Sequence, residues 1–185
     1  ILVISQSSIT RKSISHSLRD HGFVSVIARE SISAAYDIIE SSPVDWIFTS
    51  MALKDQDNAL TLLRSLRQSP FLKRIKVSLF VDPIEIKYAG KAFELGALSY
   101  HAAAINQEDI CHEIQELLDT MVDYDEDYRL ISAHYIRRFL EYSQHFNDLE
   151  AFERKLISVY PHRTDLLLNL SRAQALSGSP DDALA

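Results

Sequence analysis

Ser50 closes the stretch DWIFTS (45–50), whose large apolar residues suit a buried strand, and stands at the mouth of the following loop. A hydroxyl there is a nucleophile only if a base beside it takes its proton. The sequence offers no base at catalytic spacing: the seven histidines are scattered, with no HxH or HExxH pattern, and Cys111 is the only cysteine, so no CxxC exists. Cys111 lies next to HEIQELL and reads as a small helix residue. No triad, metal cluster or carboxylate pair emerges, and a chain with four glycines has no phosphate-cradling loop. These residues argue against an enzyme and against a resident metal or cofactor. What remains is a set of neutral hydrogen-bonding groups, Ser5, Gln6, Thr49 and Ser50, at the carboxyl ends of two strands. Open α/β sheets bind ligands at such ends.

Composition narrows the classes further. The chain has 185 residues, 46% of them hydrophobic, enough for one ordinary domain and a smaller second one. A formal net charge of -7 disfavours nonspecific nucleic-acid binding and an anionic membrane surface. No run of about 20 apolar residues could span a bilayer, and no signal peptide opens the chain. One cysteine excludes an internal disulfide and fits a reducing cytoplasm. The chain opens on Ile1 inside an apolar strand and stops at Ala185 inside helical sequence, which reads as a piece of a longer protein.

The elements that must position these residues alternate. ILVIS (1–5) is a continuous apolar run, as in a strand buried on both faces. A helix over 9–21 carries Ile14 and Leu18 on one face, and Gly22 offers its stop. SVIA (25–28) predicts the second strand, 31–41 the second helix with Ile32, Ala35, Ile38 and Ile39 inward, and DWIFTS the third strand after Pro43. A helix near 57–68 places Leu60, Leu63 and Leu66 on one side. KVSLFV (76–81), a helix over 84–95 ending at Gly96, ALSYHA (97–102) and a helix over 105–122 complete the series. The last presents Ile110, Ile114, Leu117, Leu118 and Met121 inward. Five strands alternating with five helices through short loops imply a parallel sheet covered on both sides.

After residue 122 the pattern changes. DYDEDY (123–128) opens an acidic stretch, 123–129, that is a linker or a helix start. From 130 to 185 only helix signals remain, near 130–144, 148–160 and 164–177, with another start at Pro180. Leu167, Leu170, Gly178 and Ala183 follow the spacing of the tetratricopeptide repeat, and Pro161 sits where a preceding repeat would end. Counting back one repeat places Ile136 in the register of Leu170, within a poorly matching, cap-like unit. A plain helical hairpin is the alternative. Arg137, Arg138, Arg154 and Lys155 form two small basic clusters that read as solvated helix faces.

The first 122 residues resemble the receiver domain of two-component response regulators. ILVIS-Q-S is followed by Arg11, Ile14, Leu18, Gly22 and Phe23 at the family's spacing; Asp45 opens the third strand after Pro43; Gly96, Ala97 and Tyr100 match its Gly-Ala-x-x-Tyr. The resemblance implies an α/β fold, a flavodoxin-like doubly wound five-stranded parallel sheet, here with a C-terminal all-α helical-repeat segment. It also implies a bacterial phosphotransfer function: an Asp ending strand three accepts the phosphoryl group, an acidic pair after strand one holds Mg2+, and a hydroxyl and a Lys end strands four and five. In this register the acidic pair is Ser5 and Gln6, the phosphoacceptor Ser50, the hydroxyl position Val81 and the Lys position Ala103, followed by Ala104. The functional positions are thus vacated. Asp57 aligns with a loop acid of the family; Asp55 lies beside it, and Asp82 follows strand four.

The first reading is therefore a pseudo-receiver joined to a helical repeat, a non-catalytic adaptor that binds protein partners. The family's signalling face is helix four, strand five and helix five; here it carries Tyr88, Lys91, Ala92 and Tyr100, with Tyr100 at the aromatic switch position. A homodimer through that face is part of the expectation. The alternatives are a receiver-like domain sensing a small ligand among Ser5, Gln6, Thr49 and Ser50, and a phosphorylation-responsive regulator whose output domain is trimmed away. A DNA-binding output would need a basic helix, and 130–185 carries no excess of Lys and Arg.

Overall fold

The computed structural model describes residues 1–52, 58–102, 107–124 and 127–178. They form two compact units, 1–135 and 136–185. The first is built on five strands: β1 Leu2–Ile4, β2 Ile27–Arg29, β3 Trp46–Ser50, β4 Lys76–Val81 and β5 Ser99–Ala102. All pair in parallel in the order β2-β1-β3-β4-β5, the doubly wound order. Its helices are α1 Ser8–Asp20, α2 Ile32–Ser41, α3 Ala59–Gln68, α4 Ala89–Glu94, α5 Gln107–Asp123 and the first half of α6 Tyr128–Tyr142.

Local chemistry sets the helix ends. The Ser7 and Ser31 hydroxyls and the Asn58 side chain accept from the amides of Thr10, Ala34 and Thr61, so α1, α2 and α3 start on side-chain caps. Leu2, Val3 and Ile4 are fully buried, as a central strand of a covered sheet requires. Ile14 and Leu18 of α1, and Ile110, Ile114 and Leu117 of α5, are also buried, and α1 packs against α5. Aromatic rings run through the core: Phe23 meets Trp46 edge-on, Trp46 stacks on Phe48 at 4.9 Å, and Phe48 and Phe80 lead to His101.

The structure departs from the sequence reading in several places. The second strand starts at Ile27, because β1 pairing begins at Leu2; upstream, Ile1 reaches Ser25 only through its amino group. The fifth strand starts at Ser99. The helix expected over 84–95 is a 3₁₀ turn, Pro83–Tyr88, followed by the short α4. Its Ile84 is 84% exposed, so this turn lacks the packed apolar side chain that most helices rely on. On α3 the buried face is Ala59, Leu62, Leu63 and Leu66, with Leu60 only half-buried. These apolar residues fit two adjacent helical faces, and contact with the sheet selects one.

Residues 136–185 are helical where described: the end of α6, α7 Phe146–Val159 and α8 Thr164–Ser177, with α7 packed along α8. Glu153 is fully buried and takes two hydrogen bonds from Arg137, at 2.5 Å and 3.1 Å, so Arg137 is a largely covered ion-pair partner and not the solvated helix face that the sequence suggests. Arg172 reaches Glu141, and the Ser177 hydroxyl donates to Glu150. Pro180 and Ala183, singled out in the sequence, lie outside the described residues. The division between the units falls inside α6, where Leu130, Ile131, Ala133 and Tyr135 are buried. The composition change sits earlier, at 123–129.

Candidate functional site

The sheet delivers Ser5 and Ser50 to one place. Ser5 follows β1, its amide bonded to the Arg29 carbonyl, and is 2% exposed. Ser50 is the last residue of β3, in register with Phe80 of β4. Because β1 and β3 are parallel neighbours, their carboxyl ends coincide, and Ser50 Oγ donates to Ser5 Oγ at 2.8 Å. Thr49 is fully buried and its hydroxyl donates to the Ser50 carbonyl at 3.1 Å. Gln6 is exposed beside Ser5. Val81 ends β4, 2% exposed. Ala103, with Ala104, Asp55 and Asp57, lies outside the described residues. Asp82 is exposed just past β4, and its amide donates to Glu85 at 3.2 Å.

Arg11 joins this site without having been singled out for it. Its guanidinium donates to the carbonyls of Ser5, at 2.5 Å, and Gln6, at 2.9 Å, and so fixes the turn after β1. The signal was present: Arg11 is one helical turn into α1, in reach of the strand that α1 follows. The mouth of the crevice thus presents two mutually bonded hydroxyls and a cation held by backbone oxygens. The partner of the Ser50 hydroxyl is another hydroxyl, which is far too weak a base to activate it. Among the described residues no group of three or more His, Cys, Asp or Glu side chains comes together.

The residues expected on the signalling face divide. Tyr88 ends the 3₁₀ turn, 43% exposed, with Lys87 Nζ 5.1 Å from its ring centre. Lys91 pairs with Glu94 on the exposed side of α4. Tyr100 is 6% exposed, edge-on to Phe93 at 5.8 Å and to Tyr135 at 6.1 Å. Tyr135, from α6, is fully buried and also packs edge-on against His101. The first half of α6 therefore covers the flank of β5, and the Ser132 hydroxyl sits 3.4 Å from the Ala97 carbonyl.

Behind that flank lies a buried polar chain that the sequence did not announce. His101 Nδ1 is 3.0 Å from Glu113 Oε2, and its Nε2 is 2.9 Å from Ser99 Oγ. Ser99 Oγ donates to Ser78 Oγ at 2.7 Å, and Trp46 Nε1 donates to the same Ser78 oxygen at 2.9 Å. The alternation of Ser78, Ser99 and His101 on one sheet face brings them together, and each polar atom finds a partner where water does not reach.

A five-stranded parallel sheet in this order, whose switch point places a crevice position at the carboxyl ends of β1 and β3, is the flavodoxin-like arrangement that receiver domains share. The response regulator receiver domain family matches residues 1–115, and the chain belongs to it. Solved structures agree on the fold. The chain is similar to the chemotaxis response regulator CheY4 of Vibrio cholerae, with 16% identity and a TM-score of 0.54 over 62% of this chain and 94% of that one. It is similar to the Mn2+-bound response regulator Rcp1, with 20% identity and a TM-score of 0.54 over 63% and 88% of the two chains. The phosphorylated cyanobacterial phytochrome response regulator RcpA gives 15% identity and a TM-score of 0.56 over 65% and 91%. No curated protein matches the chain. No helix among the described residues is long and apolar enough to cross a membrane.

Proposed function

We propose that this receiver domain is a pseudo-receiver: a cytoplasmic, non-catalytic adaptor that binds protein partners instead of accepting a phosphoryl group. The observation that carries the reading is the 2.8 Å bond between Ser50 and Ser5. In the family's register these positions belong to the phosphoacceptor and to the metal-binding acids. A serine hydroxyl cannot form an acyl phosphate, and neither serine brings the carboxylate oxygens that Mg2+ requires. The Rcp1 structure holds Mn2+ and the RcpA structure is phosphorylated. This chain has Ser5, Gln6 and Ser50 at the matching positions.

Partner binding then falls to surfaces made by packing. Tyr88 and Lys91 are exposed beside α4 and are the groups a partner would meet. Tyr100 is covered by Tyr135, so a partner reaches it only by displacing α6. The helices after 136 supply the second surface in this reading. The tetratricopeptide spacing at Leu167 and Leu170 supports a repeat, and Leu167 and Leu168, 50% and 73% exposed, are what a further repeat helix would cover.

An amide NMR titration with Mg2+ and then beryllofluoride tests the emptied pocket. The expected result is no saturable shift at Ser5, Gln6 or Ser50. Localised, saturable shifts there would sink the reading.

A further inference from the structure

The opposite end of the sheet, where β4 and β5 begin, carries an open cleft of about 610 Å³. Its lining includes five cations, Arg67, Lys73, Arg74, Lys76 and Arg129, and the ring of Tyr128, with no carboxylate among the described residues. This concentration of one sign stands out in a chain of net charge -7. The cations have different duties. Arg67 is the floor: it donates to the carbonyls of Lys73, Ile75 and Gly96 at 2.9, 3.0 and 2.7 Å. Lys76 Nζ sits between two rings, 4.6 Å from the centre of Tyr128 and 5.3 Å from that of Trp46. Lys73, Arg74 and Arg129 are exposed, and among the described residues their side chains make no hydrogen bond or ion pair. Asp127, which precedes Tyr128, caps α6 by accepting from the amides of Arg129 and Leu130.

We infer that this cleft binds a nucleotide polyphosphate. Three unpaired cations around a concavity of ligand size favour a polyanion carrying several phosphate oxygens. The ring distinguishes a nucleotide from a bare polyphosphate. Tyr128 is 44% exposed and already carries Lys76 near its face, so a base has an aromatic platform beside the cations. Arg67 and Lys76, held by carbonyls and rings, set the positive field and keep their places, while Lys73, Arg74 and Arg129 contact phosphate. The site is separate from the serine crevice and does not depend on whether that crevice accepts phosphate.

The test is calorimetric titration of the whole chain with ATP, with GTP and with sodium tripolyphosphate, at about 150 mM salt, where loose surface attraction is screened. Three proteins are compared: the natural chain, R74A/R129A and Y128L. The substituted side chains are exposed, and circular dichroism verifies that the fold persists. Saturable, one-to-one nucleotide binding is expected. R74A/R129A should weaken it roughly tenfold or more. Y128L should weaken ATP and GTP several-fold while leaving tripolyphosphate unchanged. Absence of saturable nucleotide binding at that salt, or affinity unchanged in R74A/R129A, would overturn the inference. Tripolyphosphate binding as tightly as ATP, with Y128L inert, would overturn the nucleotide and leave an inorganic polyanion.

Discussion

Gly96 shows how one residue holds a corner of this domain. Its φ is +85°, and a Cβ there would stand 2.7 Å from Arg67 Nε, while Nη2 of the same guanidinium donates to the Gly96 carbonyl. Burial lowers the pKa of Arg67 from its ordinary value, so this cation is held by geometry at an electrostatic cost. Gly96→Ala should destabilise the domain by about 1–3 kcal/mol, because it combines a left-handed backbone with a displaced guanidinium. Urea unfolding measures it; an unchanged midpoint would remove Arg67 and Gly96 from the account. The sequence flagged Gly96 as a helix stop and part of the family motif. It gave no hint of Arg67, because the contact joins residues that only the fold makes neighbours.

Among the elements, α6 and α8 make the clearest predictions. Tyr135 is fully buried against Tyr100 and His101. Tyr135→Ala should cost about 3–5 kcal/mol, the usual loss for a large buried aromatic. Hydrogen exchange should show the β5 amides opening; protection unchanged at Tyr100 and His101 would mean α6 does not cover them. In α8 the first turn depends on pH. The Arg163 hydrogen bond holds the Asp165 carboxyl below its ordinary value, outweighing a burial effect in the opposite direction. A carboxyl depressed in the folded state stabilises above its unfolded pKa of about 3.9, and that contribution is lost as pH falls through the lower folded value. The effect is modest, since the pair is partly exposed. Asp165→Asn should therefore unfold more easily than the natural chain at pH 7 and match it near pH 2. A difference that persists at low pH would point to the helix cap and not to the charge.

For the whole molecule, the two units differ in what they bury. Unit 1–135 holds nearly all the buried apolar side chains, whereas between 136 and 178 the described ones are Leu149, Leu166 and Ala173. A segment with so little core is marginal by itself. The piece 1–135 should fold cooperatively, with protected β1 and β3 amides. The piece 136–185 should show partial helicity and a broad melt by circular dichroism. A sharp, cooperative melt of 136–185 would show that helix packing and the Arg137–Glu153 pair suffice.

The sequence by itself determined the alternation of strands and helices, the parallel sheet, the receiver family and the identity of Ser5 and Ser50 at two strand ends. Those signals are periodic or motif-bound, and burial on both faces of a sheet leaves near-continuous apolar runs that can be read directly. Only the tertiary structure decided which α3 face is buried, that 83–88 is a 3₁₀ turn, that Ser50 donates to Ser5, and that Tyr135 lies over Tyr100. It also gathered Arg67, Lys73, Arg74, Lys76 and Arg129 from three stretches of chain into one cleft. Such contacts depend on which side chains the packed backbone brings together across long sequence separations, and local patterns carry no record of them.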